Sequence, residues 1–216
     1  MTQSNGGKKR AQNAEQGFLW QSTRTALGAE SALTLNGKRG ENKIVPIPQL
    51  LIDFTLVFLP FIFYKTEKKE PLKELGLYSR GFKEDALSTL KLFAALIAIT
   101  VAISIAASFL NANDLGKVYD SVNNLKTTNL WLLGYLLVAR VIAEEIFFRG
   151  FLAKKTGAVV SSIVFGALHA SYGSGVEIIG AIVLGYALAK AFEKNKNLFP
   201  NIAAHFLYNL TVVLMI

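Results

Sequence analysis

The sequence predicts an all-α bundle of about six helices that crosses a lipid bilayer repeatedly, preceded by a disordered polar tail. Three observations lead there. The 216 residues are 52% hydrophobic and only 18% charged, whereas about a quarter of the residues of a soluble globule are charged. The apolar residues fall into blocks near the roughly 20 needed to carry a helix across about 30 Å of hydrocarbon. The lysines and arginines concentrate before and between those blocks.

Residues 1–43 are rich in Gly, Asn, Gln, Ser and Lys and carry the cluster Lys8-Lys9-Arg10. They lack an apolar run that could serve as the centre of a signal peptide. They also lack the apolar surface needed to offset the entropy of ordering, so a disordered tail is expected. Residues 44–216 then form one transmembrane domain. Its apolar segments run from Pro46 to Tyr64, Leu87 to Leu110, Leu130 to Leu152, Gly157 to Tyr172, Val176 to Phe192 and Leu198 to Ile216. An open-ended segment in lipid satisfies its own backbone only as a helix, which makes all six helical. The fourth and fifth are short, which calls for tilt or a locally thinned bilayer.

The connections predict a topology. The first holds Lys65, Lys68, Lys69, Lys73, Arg80 and Lys83, the third Lys154 and Lys155, and the fifth Lys194 and Lys196. The second has only Lys117 and Lys126, and the fourth, at residues 173–175, has no basic residue. Counting Lys and Arg places the odd connections in the cytoplasm and both termini outside. Lys38, Arg39 and Lys43, close to the first span, pull the other way. The stretch Pro71 to Ala86 mixes Leu75, Leu77, Tyr78 and Phe82 with charges, a composition that suits either an interfacial helix or a solvated loop.

Some chemistries are excluded at once. With no cysteine, thiol catalysis, disulfides and thiolate metal sites fall away. The formal charge of +8 does not point to nucleic acid, because the basic residues flank spans, where they report topology and anionic headgroups. There is no Gly-x-Ser-x-Gly elbow and no paired-aspartate motif.

What remains is a set of polar residues inside the spans. The third segment carries Arg140, Glu144, Glu145 and Arg149. Each charge near the middle of a span costs about 2.5–3.5 kcal/mol on insertion scales, so such groups face the protein interior and pair. Arg140–Glu144 and Glu145–Arg149 are i,i+4 pairs that can meet on adjoining turns. Structural ion pairs would account for all four. The chain's two histidines, however, also fall inside spans: His169 in the fourth, and His205 in the sixth with Asn209 one turn on. A carboxylate in low dielectric suits a general base acting on water. An imidazole can position that water, and a His/Asn pair offers donors to an oxyanion. Glu144, His169 and His205 could instead bind zinc and leave its fourth position open.

Glu144-Glu145-Ile-Phe-Phe-Arg149-Gly150, Phe165-x-x-x-His169 and His205-x-x-x-Asn209 resemble the three motifs of the CAAX prenyl protease and bacteriocin-processing family, also called the Abi or type II CAAX endopeptidase family. The resemblance covers roughly residues 70–216, including a Leu75-Gly76-Leu77 segment ahead of the core helices. It implies an intramembrane endopeptidase in which Glu144 and His169 act on the attacking water. His205 and Asn209 would stabilise the oxyanion, with Glu145, Arg149 and Arg140 in support. It implies either one divalent metal, zinc, or none. It also implies a peptide or protein substrate at the bilayer of a prokaryotic plasma membrane, reached from the cytosolic side or laterally from lipid. Prenyl-processing members tend to have more spans than six, which weakens the inference that the substrate is a prenylated C-terminus. A non-catalytic immunity or scaffold protein of the same fold, and a cation or proton transporter, are the alternatives.

Overall fold

The structure is a computed structural model that describes residues 45–216; the expected tail, residues 1–43, lies outside the described residues. Those residues form helices and connections with no strand among them. Helix α1 is Ile47–Thr66, with Pro46 before its first turn and Pro60 inside it. A single helical turn, Pro71–Glu74, follows in the first connection. Helix α2 is Phe82–Phe109 and α3 is Gly116–Thr128. Residues 130–156 form one continuous helical element, α4, in which Leu136–Arg140 and Glu145–Leu152 are wound as wider π-helical turns. Helix α5, Ala158–Leu168, tightens into a 3₁₀ turn over His169–Tyr172. Helices α6 and α7 are Gly175–Asn195 and Phe199–Met215.

The all-α expectation holds, with differences at particular elements. Helices α1, α2 and α6 are each long and apolar enough to cross a membrane. The apolar helices of residues 158–172 and 199–215 are shorter, and α4 carries six charges, four of them within its apolar stretch. Helix α2 starts at Phe82 rather than Leu87. Polar residues occupy its first turn, and Glu84 and Asp85 there favour the positive end of the helix dipole. Asp85 also accepts from Ser79 Oγ at 2.7 Å and from Asn197 Nδ2 at 2.6 Å. The second connection contains α3, a polar helix that buries only Val122. Of the stretch Pro71 to Ala86, Pro71–Glu74 forms a single helical turn and Phe82 onward belongs to α2.

Packing follows from small residues and apolar stripes. Gly166 of α5 sits against α6, where an added Cβ would fall 2.3 Å from the Ile182 side chain and 3.0 Å from the Ile178 carbonyl. Small residues let helix backbones approach in lipid, where no hydrophobic force drives association. Leu92 and Leu96 of α2 pack with Leu188 of α6 and Ala204 of α7. Tyr64, Leu75, Ile146, Phe192 and Leu198 form a second cluster that ties α1, the first connection, α4 and the start of α7 together. Large apolar side chains face outward instead, among them Phe54 at 59%, Leu90 at 63%, Ile163 at 52% and Leu214 at 74% exposure. Such a belt suits contact with lipid.

The connections sort into two ends, as successive crossings require. At one end Leu198 N donates to Gly76 O and Lys155 pairs with Glu67, joining the first, third and fifth connections. At the other end Asp114 accepts from Ser174 Oγ, Gly175 N and Val176 N at 2.6, 2.8 and 3.2 Å, joining the second and fourth. The apolar helices support an integral membrane protein.

Two predictions come from this packing. Gly166→Val forces α5 from α6 and should lower thermal stability in detergent by about 1–3 kcal/mol, in the range of overpacked cores. The Ser174 hydroxyl and then the Gly175 N–H hold the Asp114 carboxyl well below the usual carboxylate range. Its stabilisation is therefore present above the ordinary value of about 3.9 and fades as the pH falls towards the depressed one. Asp114→Ala should unfold at a lower temperature than the parent at pH 7, and the gap should close as the pH is taken below about 4.

Candidate active site

Glu144 and Glu145 are adjacent in sequence, so on any helix they point in different directions. The π-helical turns on either side of residues 141–144 let both be buried against different neighbours. Wider turns of this kind occur often at functional sites.

Glu145 has no exposed surface. Its Oε1 lies 2.8 Å from His205 Nδ1 and 3.1 Å from Arg149 Nη1, and its Oε2 accepts from Asn201 Nδ2 at 3.3 Å. The Arg149 guanidinium, 1% exposed, lies 4.2 Å over the centre of the Phe165 ring. Neither terminal nitrogen of Arg149 finds well-directed hydrogen-bond geometry, so charge and ring contact hold it. Gly150, the last residue of this motif, is needed for closeness: a Cβ there would come within 3.2 Å of the Leu75 carbonyl.

Glu144 faces the opposite wall. Its Oε1 accepts from Arg140 Nε at 2.7 Å. Arg140 Nη1 donates to Asp53 of α1 at 2.6 Å, and Asp53 also accepts from Tyr135 and Gln49. Both expected i,i+4 ion pairs of α4 are therefore present, and each recruits a partner from another helix. The second oxygen of Glu144 makes no hydrogen bond among the described residues.

His169 ends α5 and is turned by its own helix: Nδ1 lies 2.9 Å from the Phe165 carbonyl. Phe165 is the hub of this wall, its ring 4.6 Å from His169, 6.1 Å from His205 and under Arg149. A carbonyl or an ionised carboxylate only accepts, so both histidines carry their proton on Nδ1 and leave Nε2 for other partners. His169, His205 and Asn209 line one cavity of roughly 40 Å³ together with Glu177 and Tyr208. A water needs about 10–15 Å³ measured this way, so the space suits a few waters.

The structure thus brings His169, His205 and Asn209 together and wires Glu145 to His205. Glu144 does not line that cavity. It lies within electrostatic reach of Tyr172, whose ring stacks on His169 at 6.2 Å. Among the described residues no three His, Asp or Glu side chains come together as a ready metal site, while Glu144 Oε2 and both imidazole Nε2 atoms keep lone pairs that a divalent metal could take.

Three residues of this neighbourhood went unassigned in the sequence. Asn201 precedes His205 by one turn, so Asn201, His205 and Asn209 form an i,i+4,i+8 ladder that the spacing alone could have revealed. Asp53 is the lone acid of its span and pairs with Arg140. Glu177 opens α6 and reaches the cavity without a side-chain hydrogen bond among the described residues.

Residues 126–211 match the family model described as Rce1-like, type II CAAX prenyl endopeptidase. This is the family that the three motifs resemble, and the matched stretch contains all of them. The match starts well after Leu75-Gly76-Leu77, so it is narrower than the resemblance read from the motifs. No curated protein and no solved structure gives a match to the chain. The match supports a peptidase activity and, with the apolar helices, an integral membrane protein.

The two carboxylates should differ in stability effect. Glu145→Ala leaves Arg149 buried without its counter-charge and should cost about 3–5 kcal/mol. Glu144→Gln leaves Arg140 with Asp53 and should cost less. Thermal midpoints in detergent should therefore fall in the order parent, Glu144→Gln, Glu145→Ala; a reversed order would contradict the assignment of the two walls.

Proposed function

Taking the type II CAAX prenyl endopeptidase likeness of residues 126–211 as the premise, we propose that the protein is an intramembrane endopeptidase that hydrolyses a peptide bond of a membrane-associated substrate. The observation that supports this most is the water-sized cavity shared by His169, His205 and Asn209. Glu144 and His169 are the proposed base: Glu144 Oε2 and His169 Nε2 are the free acceptors, and Glu144, which stands outside the cavity lining, turns towards the water held at His169 to share its proton. The water oxygen bonds to the scissile carbonyl carbon, and the carbonyl π-electrons move onto its oxygen. The Asn209 amide donates to that oxyanion. His205 can donate from Nε2 only as an imidazolium, and Glu145 is the counter-charge beside it. As the tetrahedral intermediate collapses, the C–N bond breaks and the proton held at Glu144/His169 passes to the leaving amine. Arg140 and Asp53 fix Glu144, while Arg149 and Asn201 fix Glu145. No step runs through a metal.

The substrate is a peptide or protein held at the bilayer, in a prokaryotic plasma membrane, and it reaches the site laterally from lipid or from the cytosol. The small core favours a short hydrophobic peptide over a bulky prenylated C-terminus.

A second reading keeps the chemistry and changes the base. Glu177 lines the cavity with His169 whereas Glu144 does not. Cleavage of a peptide library by protein in lipid nanodiscs separates the two. Glu144→Gln and His169→Ala should each lower kcat/KM by about 10²–10⁴, and Asn209→Ala by about 10²–10³. Activity should survive exhaustive chelation, and Glu177→Gln should stay within several-fold of the parent. Loss in Glu177→Gln with activity kept in Glu144→Gln would transfer the role of base to Glu177. Undiminished cleavage by both Glu144→Gln and His169→Ala would end the peptidase reading and favour a non-catalytic scaffold.

A further inference from the structure

The end of the bundle where the first, third and fifth connections gather has a second cavity, of about 650 Å³. It lies away from His169 and His205, and its volume falls within the range of small-molecule sites. Four lysines line it: Lys69 from the first connection, Lys154 and Lys155 from the end of α4, and Lys196 from the end of α6. Their acidic neighbours are largely engaged. Glu67 bridges Lys69 at 2.9 Å and Lys155 at 3.3 Å, and of the two acids in the lining, Glu193 is taken by Lys190 while Glu74 accepts from Lys154 through its backbone carbonyl and stands 3.8 Å from it with its carboxylate. Each ammonium has three donors, so these contacts leave donors open, and the Lys196 ammonium has no hydrogen bond or ion pair among the described residues.

Two features show that the lysines are held together at a cost. Burial holds the Lys154 ammonium below the usual lysine value, with Lys196 and Lys69 pushing the same way against Glu74. Lys196 occupies a left-handed position at the C-terminus of α6, with φ of 54°, where glycine or asparagine is the usual residue. The depth is also indicated. Lys155 lies 4.2 Å over the Phe63 ring of α1, and beside it the first connection exposes Leu72 at 58% and Tyr78 at 39%, with Phe82 at the start of α2 at 87%. Apolar side chains beside clustered lysines mark the headgroup level of a bilayer.

From this placement we propose that the lysine-lined cavity binds the phosphate group of an anionic phospholipid in the leaflet facing the odd connections. The phosphodiester oxygens would take the open donors of Lys154, Lys155 and Lys196, with the acyl chains along the apolar flanks of α1 and α6. This site does not depend on the peptidase reading.

Native mass spectrometry of the full chain, released from micelles containing equal phosphatidylglycerol and phosphatidylcholine, tests it. The parent should retain phosphatidylglycerol preferentially. Lys196→Gly and Lys154→Gln should each weaken that preference about fivefold, a typical loss for one lysine at a membrane surface. Lys196→Gly puts glycine where the backbone favours it, so its thermal midpoint in phosphatidylcholine should be no lower than the parent's, which separates lost binding from lost fold. Competition by glycerol 3-phosphate as strong as by phosphatidylglycerol would assign the site to a soluble phosphate, and competition by the lipid alone to a headgroup. Equal retention of the two lipids by the parent, or an unchanged preference in both variants, would overturn the proposal.

Discussion

Glu145 and Arg149 face each other with almost no access to any solvent, and the arrangement of α4, α5 and α7 is built around that pair. An ion pair in a low-dielectric interior stays only if its remaining donors and acceptors are met, because one lost partner leaves a bare charge. His205 and Asn201 from α7 meet the carboxylate, and the Phe165 ring of α5 meets the guanidinium. The two helices that carry the histidines are thereby registered against one pair of charges. Sliding α7 by a single residue would rotate His205 and Asn201 away together, since they share one face. The ion pair acts as a gauge that fixes where the imidazoles stand.

The other wall is built differently. Asp53, Arg140 and Glu144 form a chain of hydrogen bonds between α1 and α4, and Glu144 keeps one oxygen uncommitted. Both oxygens of the Glu145 carboxylate are engaged, which gives rigidity, whereas the Glu144 carboxylate keeps one oxygen open as an acceptor. On the proposed reading the adjacent carboxylates divide the labour, Glu145 holding the site and Glu144 taking part in its chemistry.

How much of this was legible in the sequence varies with the physics involved. Hydropathy blocks located the helices because transfer to lipid is a sum over residues and needs no partner. The i,i+4 pairs of α4 were legible for the same local reason. Helix α3 was not, since it is polar, has no side-chain cap, and is held by a tie next to its start, from Asp114 to residues 174–176, far off in sequence. The early start of α2 was hidden because a polar first turn lowers hydropathy while the helix dipole welcomes its acids. The burial of Asp53 and the approach of Glu177 to the cavity depend on which helices neighbour each other, which a single sequence does not encode at a readable spacing. The π-helical turns are a further case, as nothing in residue type distinguishes them from an α-helix.

Depth within the bilayer bears on how hydrolysis could proceed there at all. At about 1.5 Å per residue, residues 158–172 and 199–215 span roughly 22 and 25 Å, short of a hydrocarbon core of about 30 Å. These short helices are the ones that carry His169, His205 and Asn209. A short span draws the bilayer thinner or leaves its ends below the headgroups, which brings water towards the cavity without opening the bundle. His169 lies in the 3₁₀ turn that ends α5, and Glu177 in the first turn of α6, so the cavity is nearer the end without the lysine-rich connections. Counting lysines and arginines in the connections puts that end outside, whereas the basic residues just before α1 would put it in the cytosol. Access from the cytosol therefore requires the orientation set by those leading residues, while lateral access from lipid works with either. Lateral delivery is the route that asks least of the topology, and it fits a site whose waters come through short helices and whose substrate is already in the membrane.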